Sequence, residues 1–412
     1  MNIYVYENDE TYNMSPLSIN RATFDIRIGS ETFLDRIKRI FPDVSISLFV
    51  RDELERVTKE KHSDLNVNPK EVDEGIWLLG NVIWIETDFK VFPKSETLFY
   101  NNNNLIGAFL SKISGNDWLK SKKLIPRIEN HTKLKSNYCR YLWSILSHIP
   151  DTILYEFDDY KNNYKPSDYS GVELINPGNI RIGKNVKIQP TTLINAENGP
   201  IIIDSGVNIY GQTYLEGPLY IGKNCLVKPL TQIKNSAFGP MCKLGGEIDT
   251  VIIQGYSNKV HEGHLGDSFL GEWVNLGSGT QNSNLKNNYS SVNLELNNKT
   301  VETNKIHIGT FIGDHTKTAI GTKLNSGSVI GLGSMIATYD FPPKLINPFT
   351  WYINGEKRKV ILDKFLKTTY HSMARRDKAL TELEIDLLKK LYDKFWIMIA
   401  GWYHADYIRH LF

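Results

Sequence analysis

The segment Ile203-Asp-Ser-Gly-Val-Asn-Ile209-Tyr-Gly-Gln-Thr-Tyr-Leu215-Glu-Gly-Pro-Leu-Tyr-Ile221-Gly-Lys-Asn-Cys-Leu-Val227-Lys-Pro-Leu-Thr-Gln-Ile233 sets an aliphatic residue at every sixth position. Ile182, Ile188 and Ile194 precede it on the same period. The period returns at Ile306, Ile312, Leu324, Ile330 and Ile336, broken by Thr318, with glycine following at Gly313 and Gly331. A helix repeats every 3.6 residues and a strand every two, so neither explains a strict six. A coil with three short flat faces does. Each unit is then a short strand and a corner, with the aliphatic residue inward and Gly, Asn or Asp tolerating the corner backbone. Three units close a turn of about eighteen residues, and stacked turns bury what one turn alone leaves exposed.

The period loosens between Phe238 and Leu276, and irregular coils are where sites usually stand. It stops between Gln281 and Asn304, an Asn-rich stretch that reads as a protruding loop, either a plain surface insertion or a substrate contact. At 412 residues the chain exceeds one hydrophobic core. The expected division is 1–165, 166–345 and 346–412.

Lys plus Arg (48) nearly balances Asp plus Glu (46), and no basic run stands out, which argues against a nucleic-acid partner. Cys139, Cys225 and Cys242 are too few and too scattered for a disulfide framework or a zinc knuckle. With no leader-like start and no long apolar window, the expectation is a soluble cytoplasmic protein without membrane attachment.

Within the irregular coils lies His261-Glu-Gly-His264-Leu265-Gly266-Asp267, followed by Gly271-Glu-Trp-Val-Asn275-Leu-Gly277-Ser-Gly279-Thr280. This motif resembles the acetyltransferase domain of the bifunctional N-acetylglucosamine-1-phosphate uridylyltransferase/glucosamine-1-phosphate acetyltransferase family. Gly-Tyr-Ser-Asn-Lys at 255–259 and Leu-Lys-Asn-Asn at 285–288 resemble a divergent sugar nucleotidyltransferase branch of it. The likeness is strong over about 170–345 and weak over 1–165. It implies a left-handed parallel β-helix, a homotrimer with sites between neighbouring β-helices, acetyl-CoA as co-substrate and a sugar phosphate as acceptor. His261 falls on the family's catalytic histidine, Asn275 on a substrate-contacting asparagine and Asn284 on the asparagine after the glycines. His264 replaces a tyrosine. The family's phosphate-binding lysine falls at Asp249, and its arginine has only Lys228 as a displaced counterpart; Lys234, Lys243 and Lys259 are further phosphate candidates.

An amine is mostly ammonium near neutral pH, so acyl transfer needs a base with a pKa near 7, which histidine supplies. The oxyanion needs donors, from corner N–H groups or from an amide such as Asn284. On the residues alone, His261 reads as an exposed or stacked histidine, and the motif reassigns it as the base. His264 and His315 likewise read as exposed or stacked histidines, with orienting the base or contacting substrate or the pantetheine arm as the alternative, and Asn275 equally as part of an internal asparagine ladder within the β-helix.

Residues 1–165 mix strand-like runs (2–6, 45–50, 77–79, 82–85) with a helical pattern at 32–40, an α/β layer. Pro16-Leu-Ser-Ile-Asn-Arg21 and Asp25-Ile-Arg27-Ile-Gly29 resemble the segment after the phosphate loop of sugar-1-phosphate nucleotidyltransferases. Arg21 and Arg27 read either as a bidentate phosphate clamp or as a pair of solvated arginines. The loop itself, Tyr6 to Ser15, has no glycine. Asn81 stands where the family's aspartate holds Mg²⁺, and a neutral amide suits that ion poorly. Beyond 346 the pattern turns helical, with Val360, Ile361, Phe365 and Leu366 continued by Leu380, Leu383, Leu387, Leu388 and Leu391. That tail suits a cap on the open coil end, and Phe395–Phe412 a docking segment. The function implied is acyl transfer to an amino-sugar phosphate, alone or with nucleotidyl transfer. The competing readings are a nucleotidyltransferase assembled by its β-helix and a non-catalytic relative.

Overall fold

The computed structural model describes residues 1–121, 128–164, 168–297 and 299–409, with side chains through 395. The N-terminal part is an α/β layer whose seven strands run in the order 66–67, 45–49, 2–6, 75–79, 104–110, 97–101, 131–133. The four runs read as strands fall on strands, and helix Phe33–Ile40 is opened by Thr32 and Asp35, each capping the other's backbone N–H. The hairpin 97–110 went unread because its turn, Asn101 to Asn104 with Asn102 at φ 52°, sits in a run of four asparagines.

From Glu173 to Ile353 the chain is a parallel β-helix with three faces. The coils continue past residue 345, and the expected boundary at 165–166 lies outside the described residues. Ile182, Ile194, Ile209, Leu215, Ile221, Val227, Ile233, Ile312, Leu324, Ile330 and Ile336 all point inward and are at most 2% exposed. Thr318 takes an inward slot, with its hydroxyl bound by Thr280 and by the N–H of Gly277. Ile306 departs from the column: it is 47% exposed, because it lies on the return of an insertion. The stretch read as a loop begins on the coil, where Gln281–Asn282 pair with Lys323–Leu324. It then forms a hairpin, 293–296 with 299–302, whose Leu294 and Leu296 pack into the core.

One corner repeats down the whole coil in the left-handed backbone region, at Asn185, Gly206, Asn224, Met241, Tyr256, Trp273, His315, Gly333 and Phe349. Fifteen residues separate Met241 from Tyr256, where eighteen separate Gly206 from Asn224, so the middle coils are shortened. That shortening is why the sixfold period loosens there. The bulky members stack: Tyr256 on Trp273 at 4.5 Å, Trp273 on His315 at 6.4 Å, then Phe365 edge-on to His315 and to Phe349. A left-handed non-glycine residue costs about 1–2 kcal/mol, and aromatic pairing offsets a comparable amount.

The face formed by 201–203, 219–221, 236–238, 251–253, 268–270, 310–312 and 328–330 is apolar outside as well as inside. Its outward Ile202, Tyr220, Ala237, Ile252, Phe269, Phe311 and Val329 share one core with Trp143, Ile145, Leu146, Ile149 and Ile153 of the N-terminal part. We term it the covered face. Helix Leu362–Ala374 packs along the aromatic corner through Phe365, and Tyr392 Oη donates to the Val360 carbonyl at 2.6 Å. The tail therefore lies beside the coil, and the last coil strand is paired by 356–359, which performs the capping expected of the tail. Ile361 is 54% exposed and off the packed face. The docking segment expected at Phe395–Phe412 lies, beyond Phe395, outside the described side chains.

Phe269→Ala opens a hole between coil and N-terminal part. It should lower unfolding free energy by about 3–5 kcal/mol, measured by urea denaturation; a loss below about 1 kcal/mol would contradict the shared core.

Candidate active site

Two faces remain free of the N-terminal part. The open face carries Glu216, Lys234, Asp249 and Gly266 on successive coils, beside Gln232, Glu247 and His264. The third face carries Lys243, Asn258, Asn275 and Lys317. His261 stands at the corner between them and is exposed.

That corner is held from inside the coil. Lys259 occupies an inward slot in line with Leu244 and is 2% exposed. Its Nζ donates to the carbonyls of His261 (2.6 Å), Gly245 (3.0 Å) and Glu262 (3.4 Å). Ser278 of the next coil donates to Glu262 Oε1 at 2.9 Å. The expectation that Lys259 contacts substrate is therefore corrected: its ammonium is enclosed and engaged by backbone. Desolvation pulls its pKa down to about 8.

His264 and Asn284 are brought together over Gly266. A methyl group on Gly266 would fall 2.5 Å from His264 Nε2 and 2.8 Å from Asn284 Nδ2. Asn284 Nδ2 donates to Asp267 Oδ2 at 2.6 Å, and His264 Nδ1 lies 3.3 Å from Glu247 Oε1. Burial raises the Asp267 pKa, and His307 and His264 act against that rise. Glu247, Asp267 and His307 were not singled out from sequence; the Asp following Gly266 in the motif was the available signal. Asn275 Oδ1 accepts from Asn258 Nδ2 at 3.0 Å, an asparagine pair as one reading expected, but on the outward side of the third face and not inside the coil. Lys228 follows a third-face strand, with its Nζ 5.5 Å from the Tyr210 ring centroid. His315 is buried in the aromatic corner, its pKa pushed down to about 3 by desolvation.

The N-terminal candidates are engaged in other roles. Arg21 is 8% exposed and paired with Asp314 and, at 3.4 Å, with Glu272, both of the coil. Arg27 donates to the carbonyls of Gln254, Gly29 and Ser30, while its backbone N–H donates to Gln254 Oε1. Both guanidinium groups are interdomain ties and not a phosphate clamp. Asn81 is 1% exposed and donates to the Cys139 carbonyl at 2.9 Å. An inward amide with that partner does not fit a Mg²⁺ ligand, and among the described residues no cluster of three or more His, Cys, Asp or Glu is arranged to hold a metal. In the loop, Glu7 accepts the N–H groups of Thr23 (2.8 Å) and Arg51 (3.3 Å). Glu10 pairs with Arg140. The loop therefore carries carboxylates whose partners lie outside it.

Residues 3–163 match the model of the sugar nucleotidyl transferase family. This is a nucleotidyl transferase-like domain. A bifunctional protein GlmU of Carboxydothermus hydrogenoformans is 27% identical over 225 residues, 45% of this chain and 44% of that one. A bifunctional sugar-1-phosphate nucleotidylyltransferase/acetyltransferase of Sulfurisphaera tokodaii is 31% identical over 188 residues, 45% of this chain and 43% of that one. The chain therefore matches less than half the length of these relatives. The solved UDP-N-acetylglucosamine acyltransferase of Francisella novicida superposes on 55% of this chain and 86% of its own, at 12% identity and a TM-score of 0.31. Among the described residues no helix is long and apolar enough to cross a membrane.

Lys259 provides a pH test. Its folded pKa lies below the unfolded value, so the unfolded chain binds the extra proton between about pH 8 and pH 10.4. Stability of the wild type relative to Lys259→Met should rise across that window, read by urea denaturation at each pH. A flat difference would show an ammonium that is not desolvated. Gly266→Val should drive His264 and Asn284 apart, visible as shifts of the His264 ring resonances with the overall fold retained.

Proposed function

We propose that this chain transfers an acyl group from a coenzyme A thioester to the amine of an amino-sugar phosphate. The observation that carries this reading is an exposed His261 on a corner gripped from within by Lys259. In the reaction the amine nitrogen attacks the thioester carbonyl carbon and His261 accepts its proton. The C–N bond forms, the C–S bond breaks, and the proton passes to the departing thiolate. Asn284, whose amide is held by Asp267, is assigned as a donor to the oxyanion, and such a donor contributes about 3–4 kcal/mol. Asn275 and His264 line the two faces beside the corner and are assigned to the acceptor.

We assign the assembly as a homotrimer, because His261 stands on a corner that a neighbouring coil can wall in, and the family likeness implies it. Acetyl-CoA is the donor by the same likeness. The three cysteines are buried and unpaired, which supports a reducing, cytoplasmic setting. A second reading, sugar-1-phosphate nucleotidyl transfer, is favoured by the match over 3–163; a cavity of about 970 Å³ adjoins Asp9, Tyr12 and Pro16, although most of its wall is the hairpin at Leu296, the coil at Ile346 and the tail at Leu391. The carboxylates of the loop and the buried Asn81 count against it.

His261→Ala should abolish release of free CoA from acetyl-CoA and glucosamine 1-phosphate, at least 100-fold below wild type, with the fold intact by circular dichroism. Persistent release would remove His261 as base. Pyrophosphate formed from a nucleoside triphosphate and a sugar 1-phosphate would instead favour the second reading.

A further inference from the structure

Among the described residues, the third face carries a group of cations without a carboxylate ion-pair partner. Lys243 and Asn258 are neighbours on adjacent coils, and Lys228 follows the strand one coil before Lys243. From the tail, Arg376 reaches back 118 residues to donate to Asn258 Oδ1 at 3.1 Å. Arg375 stands beside it at the end of helix Leu362–Ala374. The charges crowd one another: burial first, then Arg376, Arg375 and Lys228, hold the Lys243 pKa below the ordinary lysine value. Burial and Arg375 likewise lower that of Arg376.

Among the described residues none of these four cations forms an ion pair, although Lys234 on the open face pairs with Asp249 at 3.2 Å. Four positive charges therefore gather in a chain whose whole formal charge is +2. A helix C-terminus favours basic residues by about 0.3–1 kcal/mol. That accounts for Arg375 and Arg376, but not for Lys228 and Lys243 facing them from the coil. Asn258 joins the cluster to Asn275, and three residues further along the chain stands His261.

We propose that Lys228, Lys243, Arg375 and Arg376 form a binding site for the phosphate of a small-molecule ligand, built jointly by the coil and the helical tail. Two sources share that chemistry, the phosphomonoester of the acceptor sugar and the 3′-phosphate of coenzyme A. The choice of these ligands rests on the transferase reading above; the anion site itself does not.

Titration calorimetry on the full chain separates the cases, with glucosamine 1-phosphate against glucosamine and CoA against 3′-dephospho-CoA. The wild type should prefer the phosphorylated member of at least one pair. Lys243→Gln/Arg376→Gln should weaken that binding at least 10-fold and abolish the preference, while Lys187→Gln, three coils away on the same face, leaves it unchanged. The pair affected names the source. No preference in the wild type, or equal affinity in the double variant with its fold retained, would overturn the proposal. Phosphate-dependent binding without acyl transfer would refute the transferase reading and leave this site standing.

Discussion

A coil of this kind has an outer surface on every face, and one of them here is apolar. Ile252, Phe269, Phe311 and Val329 would be a large exposed patch on an isolated β-helix. Burying each large side chain of that row stabilises by about 1.5–3 kcal/mol, so the N-terminal part is fixed against the coil over several turns. Everything else follows from that choice of face. Arg21 and Arg27 are drawn into the seam, the tail is left the aromatic corner, and the open and third faces, with the His261 corner between them, stay uncovered by the N-terminal part.

Much of this was legible in the sequence and some was not, for definite physical reasons. The inward column was readable because stacking demands the same residue class at the same slot, and Ile312, Leu324 and Ile330 supply it. Lys259 was misassigned because the shortened coil sets it fifteen residues after Leu244, off the sixfold count, so that its inward register shows only in the structure. Arg21 could not have been read, since its partner Asp314 is 293 residues away and nothing local marks the pair. The same holds for Arg376 and Asn258. The motif carried His264, Asp267 and Asn284, but their meeting over Gly266 depends on the coil returning after each turn.

The N-terminal part keeps a nucleotidyl transferase-like framework while the chemistry of its loop is altered. A phosphate-cradling loop relies on glycine to bring its N–H groups close; this loop has none, and its Glu7 and Glu10 accept from Thr23, Arg51 and Arg140 outside it. The domain's clearest contribution in this chain is thus mechanical: it covers one face and ties the coil through Gln254, Glu272 and Asp314.

The departure at Asp249 and the cations of the third face fit together as one rearrangement. On the open face, the position where the likeness expects a phosphate-binding lysine carries a carboxylate, and the adjacent Lys234 is neutralised by it. A phosphate approaching there meets Glu216, Glu247 and Asp249 on neighbouring coils. Round the corner the balance reverses: among the described residues Lys228 and Lys243 have no ion-pair partner, and two arginines are brought in by a tail that packs on the aromatic column. His261 lies on the edge shared by both faces. An anion held on the third face, as proposed, would reach that corner from the side opposite the Asp249 carboxylate, so the loss of the expected lysine and the persistence of the histidine motif are compatible.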